Sequence, residues 1–278
     1  MERKNKIISA LFFILLLFLA AVFIFPVAVV FINSFKTRFD ISSAPFTLPS
    51  GVTFAGIDNY IEGITATGFP TAFFWSLFVT VFSVAAILFF TSMTAWYIVR
   101  SKDRFSKLFY YLLLFSMIVP FQMVMFTMSK MANILNLDNP LGLIVIYLGF
   151  GAGLSVFMFC GFIKSVPLGI EEAATIDGCN PLQTFFLVVL PLLKPTAITI
   201  AILDTMWIWN DYLLPYLTVG NDYKTVPIAV QYLKGGYGSV DMGAMMAMLV
   251  LSVIPVILFY LFCQKYIIKG VAAGAIKG

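Results

Sequence analysis

Five stretches of the sequence run the length of a membrane crossing without one charged side chain: Ile7–Phe35, Gly63–Val99, Leu108–Ser129, Asn139–Ile163 and Met242–Gln264. A helix needs about 20 mostly apolar residues to cross roughly 30 Å of hydrocarbon. A sixth stretch, Pro195–Gly220, is interrupted only by Asp204 and Asp211. Charged residues make up 11% of the chain and hydrophobic ones 61%. A soluble domain carries roughly 25% charge, and no single core could hide this much apolar surface. The runs are continuous, whereas a β-barrel would show short alternating segments. The expectation is an all-α membrane protein, one transmembrane domain over 1–278. Its six transmembrane helices would span about 8–33, 72–99, 108–129, 141–163, 196–219 and 243–265.

Charge placement sets the orientation. Arg3, Lys4 and Lys6 precede the first span, which is too long for a signal-peptide core and reads as a retained helix. Holding that end in the cytoplasm puts twelve of the 17 Lys and Arg on inner segments, among them Arg100, Lys102, Arg104, Lys107, Lys164 and Lys194. Five fall outside: Lys36, Arg38, Lys130, Lys224 and Lys234. The asymmetry supports both termini cytoplasmic and an even number of spans.

Histidine is absent. That excludes a Ser-His or Cys-His catalytic pair and every His-ligated metal site. Cys160, Cys179 and Cys263 are scattered, with no metal-type pair and no even disulfide framework. No metal site is expected. A G-x-x-x-x-G-K-[ST] phosphate loop is missing, so no nucleotide site is expected in this chain. The net charge of +4 is too small to argue for nucleic acid.

The inner segment 164–195 reads KSVPLGIEEAATIDGCNPLQTFFLVVLPLLKP. Ser165 and Pro167 suit a helix start. Glu171 and Glu172 then lie near the positive end of the helix dipole. Ala173 and Ala174 keep one face flat, and Gly178 is the expected stop. Asn180, Pro181 and Gln183 form a second start signal. The expectation is two short helices at a sharp angle, leading through Leu190 and Pro191 into the next span. Surface-lying helices usually set Lys and Arg against anionic lipid. This one carries Glu171, Glu172 and Asp177, which suits docking into a protein cleft as well as it suits a membrane-surface connector.

The spacing Glu172-Ala173-Ala174, three residues, Gly178, nine residues, Val188-x-Leu190-Pro191 resembles the EAA signature of ABC importer permeases, with Val188 where the family usually has Ile. The extended form through Asp177, together with Pro195, is similar to the carbohydrate branch that contains the smaller permease subunit of the maltose importer. Asn33-Ser34-Phe35-Lys36, Pro120-Phe121-Gln122, Trp209-Asn210-Asp211 and the tail Gly270–Gly278 also match, so the likeness covers most of the chain. It implies a type I importer permease fold in the cytoplasmic membrane of a prokaryote. The partners it implies are a second permease subunit in a heterodimer, two ATPase subunits holding ATP and Mg, and an extracytoplasmic sugar-binding protein. No cofactor would sit on this chain. The loop 164–195 would be the coupling segment, carrying ATPase closure into the spans through Glu171, Glu172, Ala173, Ala174, Asp177, Gly178, Leu190 and Pro191. The resemblance further implies ATPase contact by Gly274, Ala275 and Lys277, and binding-protein contact by Lys234, Gly235, Gly236 and Tyr237.

Polar groups at membrane depth are expensive and usually face protein or water. Asp204 lies ten residues past Lys194, about 15 Å along a helix. Gln122, Asp204, Trp207, Asn210, Asp211 and Tyr212 therefore mark a candidate translocation path. Two further readings stand beside it. Trp209 and Tyr212 suit an interfacial aromatic belt, and Asn210 and Asp211 suit the cap of a broken helix. Gly149 and Gly153 form a G-x-x-x-G expected in helix packing. An ion-driven transporter would need more intramembrane carboxylates and often a repeat. A membrane-embedded protease would need His or an aspartyl pair.

Overall fold

The computed structural model describes residues 2–101, 103–231, 233 and 241–275, with side chains between residues 8 and 266 of those ranges. The helices are α1 (Glu2–Asn33), α2 (Arg38–Ser43), α3 (Asp58–Thr67), α4 (Phe69–Arg100), α5 (Arg104–Ile118), α6 (Phe121–Ile134) and α7 (Pro140–Ile163). They continue as α8 (Leu168–Ile176), α9 (Pro181–Gln183), a π-helical segment Thr184–Val189, α10 (Leu190–Asn210), α11 (Leu213–Thr218), α12 (Val226–Gln231) and α13 (Met242–Ala275). No strand occurs among the described residues, only an isolated bridge between Lys36 and Phe54.

Five stretches are long and apolar enough to cross a membrane: Ile8–Asn33, Phe69–Arg100, Pro140–Ile163, Pro181–Asn210 and Met242–Tyr266. The expected continuous span 108–129 is instead two helices, α5 and α6, bent by 106°. Pro120 is the cause. It supplies no amide proton, it disfavours helical backbone at Val119 (ψ 116°), and it then leads α6. The fifth span also departs from its expected course. It starts at Pro181 and stops at Asn210, where Asp211 turns extended (ψ 123°) before α11.

The chain divides into two compact units, Met1–Pro70 with Ala229–Pro255, and Thr71–Ile228 with Val256–Gly278. In the first, Asn59 Nδ2 donates to the carbonyls of Ser34 (2.8 Å) and Lys36 (2.9 Å), tying α3 to the segment after α1. Lys36 is fully buried, and its ammonium donates to Ala44 O at 2.7 Å. A Cβ on Gly243 would come within 2.4 Å of Asn59 Oδ1, so α13 passes α3 at a position only glycine fits.

The second unit is organised by α4. Its buried residues Ala72, Ser76, Thr80, Ser83, Ile87, Thr91 and Ala95 recur at three- and four-residue spacing, a narrow face of mostly small side chains that lets neighbouring helices come close. One cluster joins Ala95 to Val156, Phe159 and Ile163 of α7 and to Phe185, Val189, Leu193 and Ile200. The other joins Val79, Val84 and Ile87 to Leu143, Tyr147, Ile208 and Leu214. The G-x-x-x-G face is used only in part. A Cβ on Gly153 would meet Leu113 O at 2.8 Å and one on Gly151 would meet Ile87 Cδ1 at 2.7 Å, whereas Gly149 faces open space. Asp103 starts α5 by accepting from Ser106 N. Its carboxyl is lowered to about 2, first by the Ser101 hydroxyl and then by that amide.

Candidate functional site

The segment from Lys164 to Pro195 folds as a hook whose inner side is tied to α4. Ser165 does not cap α8; its hydroxyl donates back to Phe162 O at 2.7 Å, and Pro167 occupies the N-cap position. The helix faces divide by the 3.6-residue period. Glu171 and Ala174 are buried, while Glu172, Ala173, Ile176 and Asp177 are exposed. Ile176 is 86% exposed, a large apolar side chain beside two carboxylates.

Glu171 therefore points the opposite way from Glu172. Both its oxygens are engaged: Oε1 by Arg100 and Oε2 by Trp96 Nε1 at 2.9 Å. Arg100 also donates to Val166 O at 3.1 Å, which fixes the approach to α8. Neither Trp96 nor Arg100 stood out in the sequence as part of this site. The usable signal was an Arg ending an otherwise charge-free run, although three helices, α5, α6 and α7, separate it from the acidic loop.

Gly178 ends α8 with φ +90°, and its amide donates to Thr175 O at 3.1 Å. Asn180 and Gln183 form the expected capping box, each side chain accepting from the other's amide at 2.9 Å. The second helix is not a separate short piece, however. It runs directly through the π segment into α10, where Leu190 and Pro191 form the first turn. Phe185 and Val189 anchor the π segment in the core, while Thr184 Oγ1 is buried without a partner. A run of π-helix is a marked deviation in a span and often sits at functional positions.

The polar residues of the spans meet separate partners, except that Asp211 and Trp207 share Tyr147. Asp204 is buried and accepts from Ser155 Oγ at 3.4 Å. Asp211 Oδ2 accepts from Tyr147 Oη at 3.0 Å, and its Oδ1 accepts from Leu213 N at 3.0 Å. Trp207 packs edge-on to Tyr147, with ring centroids 5.4 Å apart. Tyr212 stacks on Tyr216, Trp209 is buried against Phe73, and Asn210 donates to Met206 O. Gln122 is exposed just past the Pro120 bend. Lys234, Gly235, Gly236, Tyr237 and Lys277 lie outside the described residues; Gly274 and Ala275 fall in the last turn of α13, described for backbone only.

A helical body with five to six apolar spans, and a hook that buries Glu171 while exposing Glu172 and Asp177, defines a polytopic membrane protein. Comparison with known proteins gives the family. Residues 87–273 match the model of the binding-protein-dependent transport system inner membrane component. The chain is 36% identical over 276 residues to the probable starch degradation products transport system permease protein AmyC of Thermoanaerobacterium thermosulfurigenes, covering 99% of each. It is 34% identical over 282 residues to the multiple sugar-binding transport system permease protein MsmG of Streptococcus mutans, covering 100% of each. Among solved structures, a chain of a bacterial ABC transporter involved in the import of the acidic polysaccharide alginate superposes with a TM-score of 0.76. The two are 25% identical, over 95% of this chain and 98% of that one. The protein thus belongs to the inner membrane components of binding-protein-dependent transport systems, the permeases of ABC importers, and is a multi-pass protein of the prokaryotic cytoplasmic membrane.

Proposed function

We propose that this chain is one of two permease subunits of an ATP-driven importer of a sugar or oligosaccharide. It pairs with a different permease subunit, takes substrate from an extracytoplasmic binding protein, and rests on two ATPase subunits that hold ATP and Mg. The chain itself binds no nucleotide and no cofactor. Both termini and the 164–195 hook lie on the cytoplasmic side. The names of AmyC and MsmG, relatives over essentially the whole chain, support the carbohydrate class.

One observation carries the coupling role: α8 buries Glu171 and Ala174 while exposing Glu172, Ile176 and Asp177. A face that is apolar at its centre and acidic at its rim suits a cleft lined by basic residues. The other face is fastened to α4, and the far end feeds through the π segment into α10. Movement of the docked ATPase is thereby delivered to two spans as a rigid body. In this reading the 234–237 segment touches the binding protein, and Gly274, Ala275 and Lys277 touch the ATPase.

The test is to co-express the chain with its genomic neighbours and purify it by a tag. An ATPase and a second permease subunit should accompany it. In proteoliposomes, hydrolysis should rise when the sugar-loaded binding protein is added. Transport driven by an ion gradient without ATP would overturn the assignment.

A further inference from the structure

A cleft of about 470 Å³ opens where three spans end together. Its floor is apolar, with Ile98 and Val99 from the last turn of α4 and Cys160 from the last turn of α7. Its rim is basic: Lys107 comes from the first turn of α5, and Lys164 directly follows α7. The Lys164 ammonium lies 5.7 Å from the centroid of the Tyr110 ring, which holds the side chain across the opening.

Among the described residues, no carboxylate lines this cleft. The two acids nearest in sequence are committed elsewhere. Asp103 accepts from Ser101, Ser106 and Tyr97, and Glu171 pairs with Arg100. The two lysines therefore present unneutralised charge above an apolar slot. The ends of α4, α5 and α7 also mark the depth: charge-free helix lies on one side and Arg100 and Arg104 on the other, as at the boundary between hydrocarbon and headgroups. Basic pockets between spans at that depth recognise anionic headgroups.

From this geometry we infer that the cleft is a site for one anionic phospholipid, its phosphate on Lys107 and Lys164 and its acyl chain along Ile98, Val99 and Cys160. The hook that leads to α8 begins at Lys164, so a lipid here braces the base of the coupling segment. The site depends on the chain spanning a membrane and not on what it transports.

The experiment uses the full transporter, delipidated and returned to nanodiscs of phosphatidylcholine with graded phosphatidylglycerol. Retained lipid is counted by native mass spectrometry. The wild type should keep one phosphatidylglycerol in preference to phosphatidylcholine. Each lysine near a headgroup contributes about fivefold in affinity, so Lys107→Ala with Lys164→Ala should weaken retention roughly thirtyfold. Lys107→Arg with Lys164→Arg should keep it. Competition by inorganic phosphate as effective as by lipid would mean a soluble phosphate ligand and overturn the lipid assignment. Equal phosphatidylglycerol retention by the double Ala variant would overturn the site. So would loss of the ATPase subunits with lipid retention unchanged, which would make the lysines part of the docking face.

Discussion

Arg100 Nη2 lies 2.6 Å from Glu171 Oε1, and Arg100 Nε donates to the same oxygen at 2.9 Å. The pair joins the last residue of a membrane span to the inner face of α8. With only 21% and 8% of the two side chains exposed, it is shielded from the solvent that makes surface pairs weak. It fastens the inner side of the hook to α4, where a loop would otherwise hang from two spans.

Breaking this pair one-sidedly should be costly. Arg100→Ala leaves the Glu171 carboxylate with only the Trp96 indole, and stranding a buried charge costs roughly 3 kcal/mol. Glu171→Gln keeps an acceptor for Arg100 and a shape match, so it should cost less. The combined variant should be milder than the sum of the two, since neither charge is then left facing an empty partner. Thermal unfolding of the purified transporter, read as a double-mutant cycle, checks this. Strict additivity would mean that the two side chains do not act together.

Glu172, one residue on, should behave in the opposite manner. It is exposed, so Glu172→Lys should leave insertion and thermal stability within the range of a surface change. Against a basic ATPase cleft the new like charge costs several kcal/mol, so ATPase association should fall about 100-fold or more. Pull-down of the ATPase subunits together with melting curves separates the two effects. Unchanged sugar-stimulated hydrolysis in Glu172→Lys would rule out the docking role.

Gly178 is required by its backbone and not by crowding. Its φ is +90°, yet a Cβ there would touch nothing within 4 Å. Asn tolerates positive φ better than other side chains, whereas a β-branched residue does not. Gly178→Asn should therefore retain most coupled hydrolysis. Gly178→Val should cost roughly 1–2 kcal/mol locally and misdirect the Asn180 start. Equal loss in both variants would point to direct contact with the ATPase at this position.

These contrasts show where the sequence could and could not be read. The long helices follow from uninterrupted apolar runs, and the turn after α8 from Gly178, Asn180, Pro181 and Gln183, because each depends on residues near in sequence. The opposed directions of Glu171 and Glu172 follow from helical period in principle. Which of the two turns inward was settled by Arg100, 71 positions earlier. The 106° bend at Pro120 was signalled by a proline, but Pro26 and Pro255 sit inside unbroken helices, so proline alone did not locate it. The π segment left no local mark. It depends on Phe185 and Val189 reaching a core made by α4 and α7. The polar residues of the fifth span were legible as unusual, but their partners Ser155 and Tyr147 lie 49 and 64 positions away.

Asp211 offers the sharpest separation of a structural role from a substrate contact. Its Oδ1 accepts from Leu213 N at 3.0 Å and Leu214 N at 3.4 Å, capping α11, while Oδ2 takes the Tyr147 hydroxyl. The helix break is thus satisfied from within the chain, and little of the carboxylate is left to meet a sugar. Asn offers the same capping oxygen and an amide that the Tyr147 oxygen can accept from. Asp211→Asn should therefore transport at near the wild-type rate with an unchanged half-saturating sugar concentration. Asp211→Ala loses the cap and leaves Tyr147 Oη without its acceptor, a cost of about 1–2 kcal/mol that should appear as a lower melting temperature. Sugar uptake in proteoliposomes and thermal unfolding on the same preparations decide between the roles. A large drop in uptake by Asp211→Asn with an unaltered melting curve would make Asp211 a residue of the translocation path.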